Sequence, residues 1–545
     1  LPAERVEFGN DAENNKNRGL PGQMSKQLAR STATIGAMTM LSRVLGFLRD
    51  MVIARIFGAS AEADAFFVAF RIPNLFRRIT AEGAFAQSFV PVLSEYRSQR
   101  EHGEVRHLVE RVAGTMLVIL TLLTIVAVVA APLVITIFAP GFLDEGDKFD
   151  LAGAMLRIVF PYIVLISLSA LAGGVLNSYG RFAVPALMPV FLNTSLIGAA
   201  LWLAPLLEQP IMALAWGVLV GGVLQLALQL PTLHKLGLLV WPHWGWRDSG
   251  VRQVLKLMLP AIFGASVAQI NLLINTVIAS FMVSGSISWL YYSDRLVELP
   301  LGVIGVALGT VILPSLSRNV AERSSEEFSR TLDWGIRWVM LMGIPATLGL
   351  MLLAGPVLAT LFFHGEFTHH DLEMSRYSLV AYSSGLLSFM LVKILAPGFY
   401  ARQDTRTPVR FAMVAIGVNI AFNLLVVVPM ILLGLPAPHA GLALATAVAG
   451  YVNVWQLFRT LRREGVYQPQ PGWGRLFRQL LLANGAMAAL LLIGVPGLEQ
   501  WADWGNAERA LNLGMWISAA LLLYGVVLRF CGVNLLSLLD RRKQV

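Results

Sequence analysis

Charge is scarce in this chain: only 14% of its 545 residues are Asp, Glu, Lys or Arg, against roughly a quarter in an ordinary soluble domain. Cysteine is almost absent. Cys531 stands alone, which excludes an internal disulfide and a cysteine-based metal site. No P-loop, dinucleotide fingerprint or nucleophile–base constellation can be found. The sequence therefore reads as a non-enzyme that needs no cofactor. What fills the space is apolar, with 56% hydrophobic residues and a mean hydropathy of +0.65. A single water-soluble domain of this length could not hide so much apolar surface. One bilayer span takes about 20 apolar residues, so there is material for well over ten. A soluble enzyme, a DNA-binding protein and a secreted disulfide scaffold are excluded. Lys and Arg number 42 against 33 Asp and Glu, a net charge of +9. In a membrane protein such an excess marks cytoplasmic loops rather than nucleic-acid binding.

Residues 1–23 are polar, with Asn10, Asn14, Asn15 and Asn17 and no apolar period. They read as a disordered tail or an expression remnant, with Met24 as the native start. Apolar blocks bounded by charges, Gly and Pro then predict fourteen membrane helices, over 30–57, 62–80, 106–138, 150–178, 183–205, 210–233, 252–282, 285–314, 328–362, 372–400, 407–434, 438–460, 476–495 and 508–531. Residues 81–100 read as a short interfacial helix after the second span. One set of loops carries Arg97, Arg100, Arg106, Arg111, Lys235, Arg247, Arg318, Arg402, Arg459 and Arg463, and the alternate set carries Glu62, Asp64, Asp144, Glu145, Asp147, Glu208, Glu366 and Asp371. This alternation predicts an even number of spans with both termini in the cytoplasm.

The chain also repeats itself. Val90-Pro91-Val92-Leu93-Ser94 returns as Leu313-Pro314-Ser315-Leu316-Ser317, 223 residues on. Pro132 to Phe138 returns as Pro356 to Phe362, and Gly141 as Gly365, 224 residues on. Matches in register argue for duplication. Each copy holds an even number of spans, six, so the halves are parallel repeats. The predicted organisation is an N-terminal lobe over 24–235, a C-terminal lobe over 248–463, and two added spans over 474–545. The fold class is an all-α polytopic membrane protein. Two facing six-helix lobes are the architecture of an alternating-access transporter.

Ionisable groups inside spans are expensive and usually face a cavity. Here they concentrate in spans 1, 2 and 8. Arg43, Gly46 and Asp50 share one stripe of span 1, and Arg49 lies beside it. Asp64, Phe67, Arg71, Asn74 and Arg78 form a stripe on span 2, followed by Arg77 and Glu82; Pro73 should kink that helix. Span 8 carries Asp294, Arg295 and Glu298, and Lys393 lies in span 10. The stripes of spans 1–2 and span 8, from opposite lobes, are expected to meet across a central cavity, with Lys393 near the cytoplasmic end of span 10. The cations of these stripes are all arginine, whose fork suits a phosphate or carboxylate; a cavity for a cationic drug should be acidic or aromatic. Bland alternatives stand beside this reading. Arg55, Arg77 and Arg78 could be interfacial, and Asp50 could merely neutralise Arg43 or Arg49. Asn271 with Asn275, and Asn419 with Asn423, could coordinate a cation, but interhelical hydrogen bonding is the reading such pairs favour. His364, His369 and His370 read as a solvated loop rather than a metal site.

Longer strings resemble a known family. Ser42-Arg43-Val44-Leu45-Gly46-Phe47-Leu48-Arg49-Asp50 is similar to the opening span of the MurJ/MviN family, the lipid II flippases of bacterial cell-wall synthesis. So are the stretch from Asp64 to Arg78, Ala81-Glu82-Gly83-Ala84-Phe85, Tyr291-Tyr292-Ser293-Asp294-Arg295-Leu296, and the stretch from Leu395 to Asp404. The resemblance runs across essentially the whole chain from Met24 and is nearest the Gram-negative type. It implies the fold of the multidrug/oligosaccharidyl-lipid/polysaccharide (MOP) exporter superfamily, with twelve core spans and two extra. It implies movement of lipid II from the cytoplasmic to the periplasmic leaflet of the inner membrane, with membrane lipids and cell-wall synthesis proteins as further partners and no nucleic acid. Arg43, Arg49 and Arg295 would be the cavity arginines, Asp50, Asp64 and Glu82 the paired acids, and spans 13–14 a groove for the polyprenyl tail. A flippase for another polyprenyl-pyrophosphate oligosaccharide, or a cation-coupled multidrug exporter of the same fold, is the alternative.

Overall fold

The computed structural model describes residues 21–78 and 85–533, and among these the regular structure is entirely helical. The N-terminal lobe consists of α1 (Pro21–Phe57), α2 (Ala61–Arg77), α3 (Phe85–Gln99), α4 (His102–Val129), α5 (Ala131–Phe138), α6 (Gly146–Val159), α7 (Tyr162–Ser178), α8 (Ala183–Gly198), α9 (Met212–Ala227) and α10 (Leu230–Lys235). The C-terminal lobe follows as α11 (Ser249–Ser280), α12 (Ser286–Pro300), α13 (Val306–Ala321), α14 (Ser325–Leu352), α15 (Ala354–Leu361), α16 (His369–Ser384), α17 (Leu386–Tyr400), α18 (Arg406–Phe422), α19 (Val428–Leu432) and α20 (Pro438–Arg463). The added pair is α21 (Trp473–Gly494) and α23 (Asn506–Phe530), joined through the short α22 (Leu498–Asp503).

The repeat is visible helix by helix. α4 and α14 both have 28 residues and open at His102 and Ser325; α5 and α15 both have 8 and open at Ala131 and Ala354. Wide π-turns, Ala199–Leu203 and Asn423–Val427, follow α8 and α18 alike. The repeat also corrects one expectation. Of the stretch read as an interfacial helix, the described part is α3, which packs on α7 and α11 and buries Phe85, Phe89, Leu93 and Tyr96 inside the protein. It matches α13 of the other lobe, in keeping with the repeat of Val90–Ser94 as Leu313–Ser317. A second correction concerns the start, because α1 opens at Pro21, inside the segment assigned to the tail.

Among the described residues, ten helical stretches are long and apolar enough to cross a bilayer by length and composition, against fourteen expected. The four expected spans outside that count are α1, α2, α11 and α12. Three of them carry the charges singled out above: Arg43, Arg49 and Asp50 on α1, Asp64 and Arg71 on the 17-residue α2, and Asp294, Arg295 and Glu298 on the 15-residue α12.

Helices in lipid gain nothing from the hydrophobic effect by associating, so close packing and hydrogen bonds hold them. On α9, a Cβ at Gly221 would sit 2.8 Å from Leu192 of α8, and one at Gly222 2.7 Å from Tyr162 of α7. The added pair is bolted to the C-terminal lobe. Tyr524 Oη donates to Leu341 O at 2.7 Å. The buried Arg509 guanidinium donates to the carbonyls of Ala359, Phe363, Trp501 and Ala502. At the opposite end the buried Asp333 carboxylate accepts from Tyr467 Oη, Gln470 N and Trp473 Nε1.

Candidate functional site

The loops give the bundle a basic end and an acidic end, and the lobes are latched together at the acidic one. α2 begins with Ser60 as N-cap, its Oγ accepting from Ala63 N at 3.2 Å, and this places Asp64 in the first turn facing α12. α12 begins at Gly285, whose φ of +98° only glycine adopts freely, so the backbone N–H groups at its start are free to point at a partner. Asp64 takes that position. Its carboxylate accepts from Gly285 N (2.8 Å), Ser288 N (2.8 Å) and Ser288 Oγ (2.6 Å) across the two lobes. Lys148 of α6 lies 3.6 Å from Asp64 and donates to Ser284 Oγ at 2.9 Å. Tyr292 Oη donates to Gly58 O, Ser280 Oγ accepts from Gly141 N, and Glu366 N donates to Arg55 O. These bonds form a closed gate.

On the basic side of this gate lies a cavity of about 440 Å³, lined by Arg43, Gly46, Arg49, Asp50, Asn193, Arg295, Glu298, Gly302 and Lys393 among others. Arg43, Gly46 and Asp50, the predicted stripe of α1, all face it. Arg49 is buried, and its guanidinium donates to Asp50 Oδ1 (2.6 and 2.9 Å), Asn193 Oδ1 (3.0 Å) and Tyr291 Oη (2.9 Å). Tyr291 Oη in turn donates to Asp50 Oδ1 at 2.9 Å. Arg295 reaches the other oxygen of Asp50 at 3.2 Å and pairs with Glu298 at 2.8 Å. Asp50 therefore does more than neutralise its neighbour: it bridges an arginine of each lobe. Among the described residues no carboxylate pairs with Arg43, whose guanidinium lies over Gly302.

The structure separates residues that the sequence grouped. Asp64 is in the gate, not in the cavity lining. Arg71 lies on α2 and donates to Thr276 Oγ1 of α11 at 2.8 Å. Asn74 accepts from Arg77 Nε at 3.0 Å, and neither residue lines the cavity. Asp294 and Arg78 are exposed and stand outside it as well. Glu82 lies outside the described residues. The amide candidates form a network of their own. Asn423 Nδ2 donates to both Asn275 Oδ1 and Asn419 Oδ1 at 3.0 Å, with Thr446 beside them, while Asn271 is not part of those bonds. That is interhelical hydrogen bonding among α11, α18 and α20. Among the described residues no group of three His, Cys, Asp or Glu is placed to hold a metal.

Three residues escaped the sequence reading. Asn193 stands with Thr194 and Ser195 in an otherwise apolar helix and buttresses Arg49. Lys148 sat in a loop-like acidic stretch and became a gate residue. Tyr291 was visible only within a longer string, yet its hydroxyl touches Arg49, Asp50 and Arg295, and its ring stacks on Phe67 at 4.1 Å.

A second space opens beyond the gate. It measures about 1290 Å³ and is lined by Glu62, Asp147, Asp150, Glu208, Glu366 and Asp371, with Lys148 as the cation among its charged groups.

A family model described as "Lipid II flippase MurJ" matches residues 53–507. A probable lipid II flippase MurJ from Vibrio cholerae is 47% identical over 522 residues, covering 94% of this chain and 98% of the relative. A lipid II flippase MurJ from Burkholderia cenocepacia is 45% identical, covering 92% and 96%. Among solved structures, a lipid II flippase MurJ in an inward closed conformation superposes with a TM-score of 0.74 at 25% identity, covering 90% of this chain and 97% of that one. An inward-facing multidrug resistance MATE family transporter of the MOP superfamily superposes at 0.63 with 15% identity, over 80% of this chain and 98% of that one, which shows the shared fold.

Proposed function

The chain belongs to the lipid II flippase MurJ family, and from that premise we propose that it carries lipid II across the inner membrane by alternating access, binding the pyrophosphate at Arg49 and Arg295. It is a multi-pass membrane transporter and not an enzyme. The observation that carries the site is the single carboxylate, Asp50, held between an arginine of each lobe. A pyrophosphate offers the same kind of oxygen to the same two forks, with more charge and more acceptors. By displacing Asp50 it would exchange a link between lobes for a link through the substrate. Arg43 and Lys393, facing the same space, add positive charge for a group that arrives from the basic end.

Orientation follows from the loops. The end rich in Lys and Arg is the cytoplasmic one, so both termini are cytoplasmic and the latched gate faces the periplasm. The cavity then loads from inside, and substrate leaves only after the Asp64 latch opens. The exposed apolar faces of α21 and α23, including Leu481, Ile493, Leu521 and Leu522, suit a polyprenyl tail that stays in the bilayer. Outward movement of each negative charge gains about 2.3 kcal/mol per 100 mV of inside-negative potential. The potential alone can therefore drive transport.

The deciding experiment is depletion of the protein, rescue with Arg49→Ala and Arg295→Ala variants, and measurement of which leaflet holds lipid II. Accumulation in the cytoplasmic leaflet at normal protein level is expected, and outward flipping at the wild-type rate would refute the site. The cavity does not favour a cationic-drug exporter. Its charged lining has four cations, Arg43, Arg49, Arg295 and Lys393, against two anions, Asp50 and Glu298.

A further inference from the structure

The segment joining the two lobes, between α10 and α11, carries three tryptophans in six residues: Trp241, Trp244 and Trp246. None is needed by the transport site. Trp241 is 81% exposed, Trp244 50% and Trp246 48%. Exposed tryptophans on a floppy loop would mean little, but this segment is fixed. His243 N donates to Glu110 O and its ring faces the Glu110 carboxylate, Arg111 Nη1 donates to Trp244 O at 2.8 Å, and Gly245 N donates to Thr115 Oγ1 at 3.2 Å. Gly114 of α4 lacks a side chain where the His243 backbone crosses it; a Cβ there would collide with that backbone. Leu238 is buried beneath, in the core shared with α3 and α4. The segment is a strap bolted along the first half of α4, with its indoles turned outward and the Trp244 and Trp246 rings stacked at 6.1 Å and 8°.

The level of the strap is set by α4. Its last charged residue is Arg111, and residues 112–129 are free of charge. At about 1.5 Å per residue that run spans about 27 Å, close to the roughly 30 Å hydrocarbon core. Leu122, Ile125, Val126 and Val129 leave an apolar face of this run exposed. Glu110 to Thr115, where the strap is bolted, therefore coincides with the edge of the hydrocarbon on the basic side. Indoles held there sit where one end of the ring is wet and the other apolar. Exposed Lys235 and Arg247 flank them.

We infer that the Trp241–Trp244–Trp246 strap is a membrane-interface anchor, seated among the headgroups and first methylenes of the leaflet on the basic side, and that it fixes the N-terminal lobe and the start of α11 against that leaflet. The test uses the full chain in phosphatidylethanolamine/phosphatidylglycerol nanodiscs with Cys531→Ser. A nitroxide is placed singly through Trp241→Cys, Trp244→Cys and Trp246→Cys. Leu122→Cys serves as hydrocarbon reference and Glu104→Cys as aqueous reference. Collision with oxygen and with a nickel chelate gives depth. The expected result is a position between the two references, within one headgroup layer of the phosphates, at Trp244 and Trp246. Chelate accessibility equal to the Glu104 reference would place the strap in water and overturn the proposal. Shielding from both reagents would mean a covering protein surface and overturn it equally. Because each label removes one indole, a second measurement keeps the native rings. Tryptophan emission of the unlabelled protein is quenched with lipids brominated at the 6,7 or the 11,12 carbons. The variant Trp241→Gln/Trp244→Gln/Trp246→Gln should lose more 6,7 quenching than 11,12 quenching. Equal losses, or none, would reject an interfacial seat.

Discussion

The two spaces on either side of the gate differ most in sign. The inner cavity sets four cations against two carboxylates, and the outer space sets six carboxylates, Glu62, Asp147, Asp150, Glu208, Glu366 and Asp371, against Lys148. They also differ in how the charges are held. Inside, Arg49 and Asp50 are 5% and 1% exposed and hydrogen-bonded to one another. Outside, Glu62 and Glu208 point into solvent. A buried fork in a low dielectric binds an anion strongly, whereas exposed like charges repel it weakly and over a distance limited by salt. On the function proposed above, the molecule captures a pyrophosphate on one side and gives it no resting place on the other. The contrast favours release.

The contrast can be broken most completely from inside. Arg49→Ala or Arg295→Ala leaves Asp50 short of a partner and the cavity short of a fork, so complementation of a depleted strain should be lost while protein level in the membrane is kept; Arg→Lys should fail also, because an ammonium cannot offer the bidentate fork. Growth at the wild-type rate would show that the inner charge is dispensable.

Next in size is the wall between the spaces. Asp64→Asn replaces a carboxylate that holds three donors with an amide. A loss of about 2 kcal/mol would raise the open-gate population roughly 30-fold. A membrane-impermeant thiol reagent applied from the periplasm to Ser284→Cys, in a Cys531→Ser background, should react correspondingly faster. An unchanged rate would mean that the lobes are held by something other than this latch.

Tyr291→Phe keeps the ring on Phe67 and removes the hydroxyl shared by Arg49, Asp50 and Arg295. Losing about 1 kcal/mol of hydrogen bonding should slow flipping about five-fold without unfolding the protein, as read by initial rates in vesicles and by thermal stability side by side. The smallest effect belongs to the outer acids. Glu62→Gln with Glu208→Gln should slow release by roughly two- to three-fold at low ionic strength and by less at high salt. An effect that ignores salt would remove the electrostatic meaning of the comparison.

Much of this was legible along the chain. Hydropathy placed the membrane helices, matching segments revealed the repeat, and the stripe Arg43, Gly46, Asp50 was read as facing a cavity and does. The misreadings share a cause. The stretch after span 2 looked interfacial, and Arg77 and Arg78 fitted that reading because a charge pair normally marks a membrane surface. Here α3, the next described helix, packs inside the protein on α7 and α11, as α13 packs on α14 and α17 in the other lobe. Asp64 looked like a second cavity acid because it shares a helical face with Arg71 and Arg78. The distance along α2 puts those residues at different heights, and Asp64 at the gate.

The sequence by itself determined the all-helical class and periodicity of the helices, their duplication, the surplus of arginine in spans 1, 2 and 8, and the family. Those properties are local or repeat in register, so each can be read without knowing what lies across the bundle. The tertiary structure alone decided which groups meet. Asn193 reaches Arg49 from 144 residues away, and Tyr291 reaches it from 242 residues away. Lys148 joins a gate whose other half begins 136 residues later, at Ser284. A buried charge takes the partner that packing brings within about 3 Å, and helix periodicity says which way a side chain points but not which helix stands opposite.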